Sequence, residues 1–182
     1  MPLQKITEEQ LINTCMQVFR EKGYNGTSMQ DLADACGLTK GNFYHYYPNK
    51  EALMEAVLKA VLSYFNHVFF KKIQMADIRI EEKKILFKEK ALNIFNKQGG
   101  CLMGNTALES IYLTKGFHGL VESFFKRWVE MMESLFLEMG RNEQEAKEES
   151  LLAVAQIEGS IMLMQVFKDR SYLEKALDKV LR

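Results

Sequence analysis

Proline is almost missing from this 182-residue chain, with only Pro2 and Pro48 present, so no long segment contains a helix breaker. Cysteine is scarce too. Cys15, Cys36 and Cys101 are an odd number without metal-ligand spacing, which argues against a disulfide framework and a structural zinc site. Net charge is zero, from 24 basic and 24 acidic residues, and the first fifty residues balance as well. Any grip on a polyanion must therefore come from local geometry and few ionic contacts. No apolar run approaches bilayer length and the N-terminus lacks a signal-peptide pattern, so a cytoplasmic protein without a membrane partner is expected. No nucleophile–base pair, metal cluster or phosphate loop is legible, so neither an enzyme nor a cofactor is expected.

What is there is apolar residues at helical spacing. They make up 47% of the chain against 26% charged, and the expected fold is all-α. A first helix is predicted over about 7–22, capped by Thr7 with Gln10 three residues on and ended by Gly23. Ser28, with Asp31 at the third position, caps a second helix. A fourth begins at Asn49 and repeats Leu53, Val57, Val61, Phe65 and Phe69. Further helices are expected over about 80–97, 106–113, to 139 after a start loosened by Gly116 and Gly119, 143–168 and 171–182. Gln98-Gly99-Gly100-Cys101-Leu102-Met103-Gly104 reads as a glycine-rich break.

The stretch from Ser28 to Lys50 carries the chemistry. Leu32, Ala33, Leu38 and Phe43 fall where two short crossing helices need apolar contacts, and Gly37 sits where their turn requires positive φ. Thr39 can cap the second of these helices, from about Lys40 to Tyr46, and Pro48 prevents its continuation. With Phe43 inward, Lys40, Asn42, Tyr44 and His45 project outward. This is a helix-turn-helix suited to DNA. Lys40 and Asn42 can reach base edges, since lysine donates to guanine and asparagine pairs bidentately with adenine. Thr39, Tyr44 and His45 suit phosphates, as does the helix start at Ser28.

Thr39-Lys40-Gly41-Asn42-Phe43-Tyr44-His45-Tyr46-Tyr47-Pro48-Asn49-Lys50-Glu51-Ala52-Leu53 resembles the signature of the TetR family of bacterial transcriptional regulators. Phe19, Gly23, Tyr24, Thr27 and Ser28 resemble its lead-in. Tyr47 stands where the family usually has Phe. The resemblance covers roughly residues 8–60. It implies a three-helix helix-turn-helix DNA-binding domain over 1–50 and a helical effector-binding and dimerisation domain over 51–182. It further implies a homodimer, in most cases a repressor, on palindromic operator DNA, with Lys50 as another phosphate contact. By the same analogy the helix carrying Val154, Ile157 and Ile161 pairs with its mate in a second subunit.

The second domain is rich in aromatic and methionine residues, which suits a pocket for a largely apolar or aromatic small-molecule effector as well as it suits a plain core. Candidate pocket residues are Phe65, Phe69, Phe95, Cys101, Phe125, Trp128, Met132, Glu158 and Met162. Glu158, inside an apolar run, suits either a cationic or hydroxylated effector or a partner across the dimer. The segment around Cys101 resembles one found in a branch of the family in which some members sense electrophiles or oxidants. The alternative input is therefore covalent modification of Cys101. Cys15 and Cys36 read as core residues.

Overall fold

The computed structural model describes residues 6–75, 77–96, 99–110 and 115–182, and these form helices and no strand. They group into two compact units. One takes in the chain to Leu62 together with Leu102–Val121, the other Ser63–Cys101 with Glu122–Arg182. The expected boundary after residue 50 thus falls within the first unit, which also recruits a segment from far downstream.

In the first unit α1 spans Glu8–Lys22. Thr7 accepts the Gln10 N–H at 3.2 Å while the Gln10 side chain accepts the Thr7 N–H at 3.0 Å, closing the predicted capping box. Gly23, at φ +73°, ends the helix by donating to the Phe19 carbonyl. Next come α2 (Met29–Ala35) and α3 (Lys40–Tyr44), with α4 (Lys50–Tyr64) started by the Asn49 side chain, which accepts the Ala52 N–H at 2.7 Å. Then α7 (Leu102–Ser110) and the first two turns of α8 (Lys115–Glu138) complete the unit. Leu11, Cys15, Phe19, Leu32, Ala33, Phe43, Leu53 and Val57 form its fully buried core. Each large apolar side chain there removes enough surface from water to contribute about 1.5–3 kcal/mol.

The second unit starts with a π-helical stretch, Phe65–Phe70, running into α5 (Lys71–Gln74). After it come α6 (Ile80–Phe95), the rest of α8, α9 (Glu143–Phe167) and α10 (Ser171–Val180), which packs along α9 and α6. The i→i+5 stretch carries three phenylalanines, Phe65, Phe69 and Phe70, all of them buried. Asn142 and Glu145 form a reciprocal cap for α9, and Lys168, in the left-handed region at φ +52°, ends it.

Three helices depart from the sequence reading. The expected α3 extends to Tyr46, but the helix closes at Tyr44 through tighter bonds from His45 to Asn42 and from Tyr46 to Phe43. The helix expected from Thr106 begins at Leu102, because burying Leu102 and Met103 outweighs the cost of a helical Gly104. Burial of Phe117 and Val121 likewise carries α8 through Gly116 and Gly119. The expected ends at 97 and 113, and Gln98 of the glycine-rich break, lie outside the described residues. Two 25-residue helical runs, Lys50–Gln74 and Glu143–Phe167, are long and apolar enough to cross a membrane by length and composition alone. That corrects the expectation that no segment approaches this limit. Both runs bury one face within the protein, the ordinary condition of a core helix.

Candidate nucleic-acid interface

The turn between α2 and α3 is built from backbone bonds. The Cys36 N–H reaches the Leu32 and Ala33 carbonyls at 3.1 Å, Gly37 donates to Asp34 at 3.0 Å and Leu38 to Ala33 at 2.9 Å. That wrap demands φ +66° at Gly37, where nothing but glycine sits cheaply. Thr39 Oγ1 then accepts the Asn42 N–H at 3.3 Å and starts α3. Phe43 is completely buried and pins the five-residue helix, while Lys40, Gly41, Asn42 and His45 are exposed and Tyr44 is 42% exposed. The Tyr47 hydroxyl donates to Glu8 at 2.9 Å, so the departure from Phe ties the chain after α3 back to α1. Burial, aided by that carboxylate, pushes its pKa up to about 12. Ser28 is exposed at the start of α2. Its Oγ accepts the Asp31 N–H at 3.1 Å, and its own N–H and hydroxyl donate to the Asp31 carboxylate. Lys22, bonded to Asp31 at 2.6 Å, and then Ser28 hold that carboxyl well below the usual range.

The loop joining α1 to α2 is clamped by residues distant in sequence. Lys50 Nζ donates to the Tyr24 and Thr27 carbonyls, both at 2.7 Å, and lies 4.3 Å from the centre of the Tyr24 ring. Two of its three donors are therefore turned inward, and Lys50 holds the loop where the sequence reading expected a phosphate contact. Burial lowers its pKa and the charge of Glu109 opposes the shift. From α7, the Glu109 carboxylate accepts the Tyr24 N–H at 3.2 Å and the Asn25 N–H at 2.8 Å. Phe117 meets the Tyr24 ring edge-on at 5.3 Å. Gly23 leaves room for this approach, since a Cβ there would stand 2.7 Å from Glu109 Oε1.

In the second unit most of the expected pocket residues form closed packing. Phe65 meets Phe124 edge-on at 4.9 Å, and Phe95 and Phe125 both stack on Trp128, at 5.4 and 6.3 Å. Phe69, Phe95, Trp128 and Met132 are buried, and Phe125 is half-buried. Met162 is 59% exposed, so its side chain lines no interior space. Buried polar atoms of this unit without a hydrogen-bond partner are Asn66 Oδ1, Trp128 Nε1 and Glu158 Oε1. Burial raises the Glu158 pKa to about 7, opposed by a hydrogen bond with the buried Cys101 thiol. An open surface cleft of about 780 Å3 lies elsewhere, lined by Glu133, Leu137, Asn142, Glu143, Gln144 and Lys147, none of them an expected pocket residue.

Residues 11–57 match the family model described as bacterial regulatory proteins, tetR family. Residues 85–179, just over half of the chain, match the one described as transcriptional regulator LmrA/YxaF-like, C-terminal domain. The chain belongs to the TetR family. It is 25% identical over 170 residues to the HTH-type transcriptional regulator YxaF of Bacillus subtilis, covering 92% of this chain and 89% of that one. It is 26% identical over 178 residues to the HTH-type transcriptional repressor DhaR of a Mycobacterium species, covering 94% and 89%. A TetR transcriptional regulator from Legionella pneumophila has the same fold, with a TM-score of 0.86 at 21% identity over 99% of this chain and 97% of that one.

In this TetR-family regulator α9 divides into two faces. Val154, Ile157 and Ile161, expected at a subunit interface, are already buried within the single chain. Leu151, Leu152, Met162, Leu163, Val166 and Phe167 are the exposed large apolar residues of the same helix, with Tyr172 stacked on Phe167 at 5.2 Å. A four-residue apolar spacing identifies a buried helix face but does not say whether the same chain or another buries it. Sequence reasoning also missed Glu109 and Phe117, because one carboxylate and one aromatic in mid-chain carry no local signature of a loop 85 residues away.

Proposed function

We propose that this TetR-family transcriptional regulator is a cytoplasmic repressor that binds palindromic operator DNA as a homodimer and leaves it when a small molecule occupies the second unit. One observation carries the DNA reading: buried Phe43 fixes α3 while Lys40, Asn42, Tyr44 and His45 stand in solvent beside it. Lys40 and Asn42 reach base edges, and Thr39, Tyr44, His45 and the remaining donor of Lys50 hold phosphates, while Ser28 keeps both its donors on Asp31. A five-residue helix makes few contacts, so two copies one helical turn apart are needed for tight binding. The exposed apolar face of α9 is the surface for the second copy.

The effector reading is supported by Asn66, Trp128 and Glu158, whose unpartnered buried atoms suit a ligand that is mostly aromatic with a few polar groups. Such a ligand must bind the DNA-free state better, and DNA must weaken it by the same factor. A second reading, covalent input at Cys101, draws on the hydrogen bond that joins its thiol to Glu158, so that modification of the thiol would leave that buried carboxyl without it. Cys101→Ser separates the two: a response to electrophiles that survives the substitution eliminates the covalent reading. The proposal as a whole is tested by gel shift at low ionic strength with fragments flanking the gene for this chain. Selective retention of one fragment, competed poorly by unrelated DNA, is expected. Equal affinity for every fragment overturns it.

A further inference from the structure

The sulfur atoms of Cys15 and Cys36 lie 3.8 Å apart, in direct contact, though 21 residues separate them in the chain. Cys15 lies on α1 and is fully buried, whereas Cys36 caps the C-terminal end of α2 and is half-buried. Neither is a member of a disulfide, and one thiol hydrogen-bonds the other sulfur. Two contacting thiols, one reachable from solvent and one shielded behind it, make an attacking and a resolving pair.

We propose that Cys15 and Cys36 are an oxidisable dithiol which closes to an intrachain disulfide under peroxide-class oxidants and thereby weakens DNA binding. Cys36 Sγ, as thiolate, attacks a peroxide oxygen and the O–O bond breaks. Cys36 becomes a sulfenic acid, and the departing hydroxide leaves as water with the proton that Cys36 released. Cys15 Sγ then attacks Cys36 Sγ, the S–O bond breaks, and the second hydroxide takes the Cys15 proton as another water. Two thiols lose two electrons, and one peroxide is reduced to two waters. The hydrogen bond from Cys15 favours ionisation at Cys36 against its burial, while the same bond and burial push Cys15 up, which assigns the order of attack.

Closure brings the sulfurs from 3.8 Å to a bonded separation of about 2.05 Å. The load falls on Cys36, whose N–H is bonded to the Leu32 and Ala33 carbonyls and whose neighbours Gly37 and Leu38 complete the turn into α3. Drawing that residue toward α1 shifts the helix that the DNA reading places in the groove, so the functional half of this inference rests on that reading.

The experiment uses the full chain carrying Cys101→Ser, which removes the third thiol. After hydrogen peroxide, peptide mapping without reductant is expected to join the Cys15 and Cys36 peptides within one chain, with both free thiols lost and regained in dithiothreitol. Affinity for the fragment retained by the reduced protein is expected to fall about tenfold on oxidation and to recover on reduction. Cys36→Ala added to this background is expected to abolish both effects, and Cys15→Ala to leave a stable sulfenic acid at Cys36. Thiols that survive peroxide, or join only between chains, overturn the dithiol. A disulfide that leaves DNA affinity unchanged overturns its regulatory role. If the reduced protein retains no fragment, the DNA reading fails instead, and the peptide map still decides the dithiol.

Discussion

The Glu109 carboxylate accepts the Asn25 N–H at 2.8 Å and, with its other oxygen, the neighbouring Tyr24 N–H at 3.2 Å. A side chain of α7 thereby satisfies two donors that α1 leaves behind where it stops at Gly23. The loop so held leads to Ser28 and α2, and through α2 to the α3 that faces solvent. Lys50 bonds the carbonyls of the same loop, so its donors and acceptors are matched by opposite charges from two other helices.

Replacing Glu109 with Ala removes both acceptors, and hydrogen bonds to a charged group contribute about 1.5–3 kcal/mol. The melting temperature is expected to fall by several degrees, with faster amide exchange at Tyr24 and Asn25. Glu109→Gln keeps one good acceptor and is expected to lie between. Exchange at parental rates in Glu109→Ala would show that the clamp is not formed in solution.

Lys50→Ala is expected to destabilise the fold by a similar amount, about 1.5–3 kcal/mol, because the Tyr24 and Thr27 carbonyls lose a charged donor. Thermal melts read this without DNA. An unchanged melt combined with a flatter salt dependence of DNA binding would return Lys50 to a purely phosphate-binding role.

Asn42→Ala is expected to leave stability unaltered, since the side chain is exposed, and to relax base preference by about 1–3 kcal/mol at one operator position. Competition with singly substituted operators measures it. A uniform loss across all sequences would instead make Asn42 a phosphate contact.

Glu158 links stability to pH. Its folded pKa of about 7 lies above the ordinary 4.5, so the folded state holds its proton more tightly than the unfolded chain. The contribution is complete below about pH 4.5 and is lost as pH rises through 7, to a limit of about 3 kcal/mol. Glu158→Gln, which cannot ionise, is therefore expected to gain stability relative to the parent between pH 5 and 8 (about the window set by the two values). Parallel melting curves across that range would contradict a neutral buried carboxyl.

The two faces of α9 predict opposite phenotypes. Val166→Glu, on the exposed face, is expected to give a folded monomer by light scattering. Ile161→Ala, in the core, is expected to cost about 2–5 kcal/mol of stability with the assembly state kept. A dimer that persists in Val166→Glu would move the subunit contact elsewhere.

Local signals in the chain determined the helix-turn-helix almost completely. The Thr7, Ser28, Thr39 and Asn49 caps, the positive φ at Gly37 and the burial of Phe43 all depend on neighbours within a few residues, and all are found. The all-α class follows from apolar spacing in the same way. Only the tertiary structure decided that Glu109 and Phe117 belong with the first unit, that Lys50 points inward, that Met162 is exposed while Ile157 is not, and that Cys15 touches Cys36. Each of these depends on which distant segments meet. A helix repeats its surface every few residues whatever lies against it, so its sequence names a face to be covered, and packing alone selects the cover.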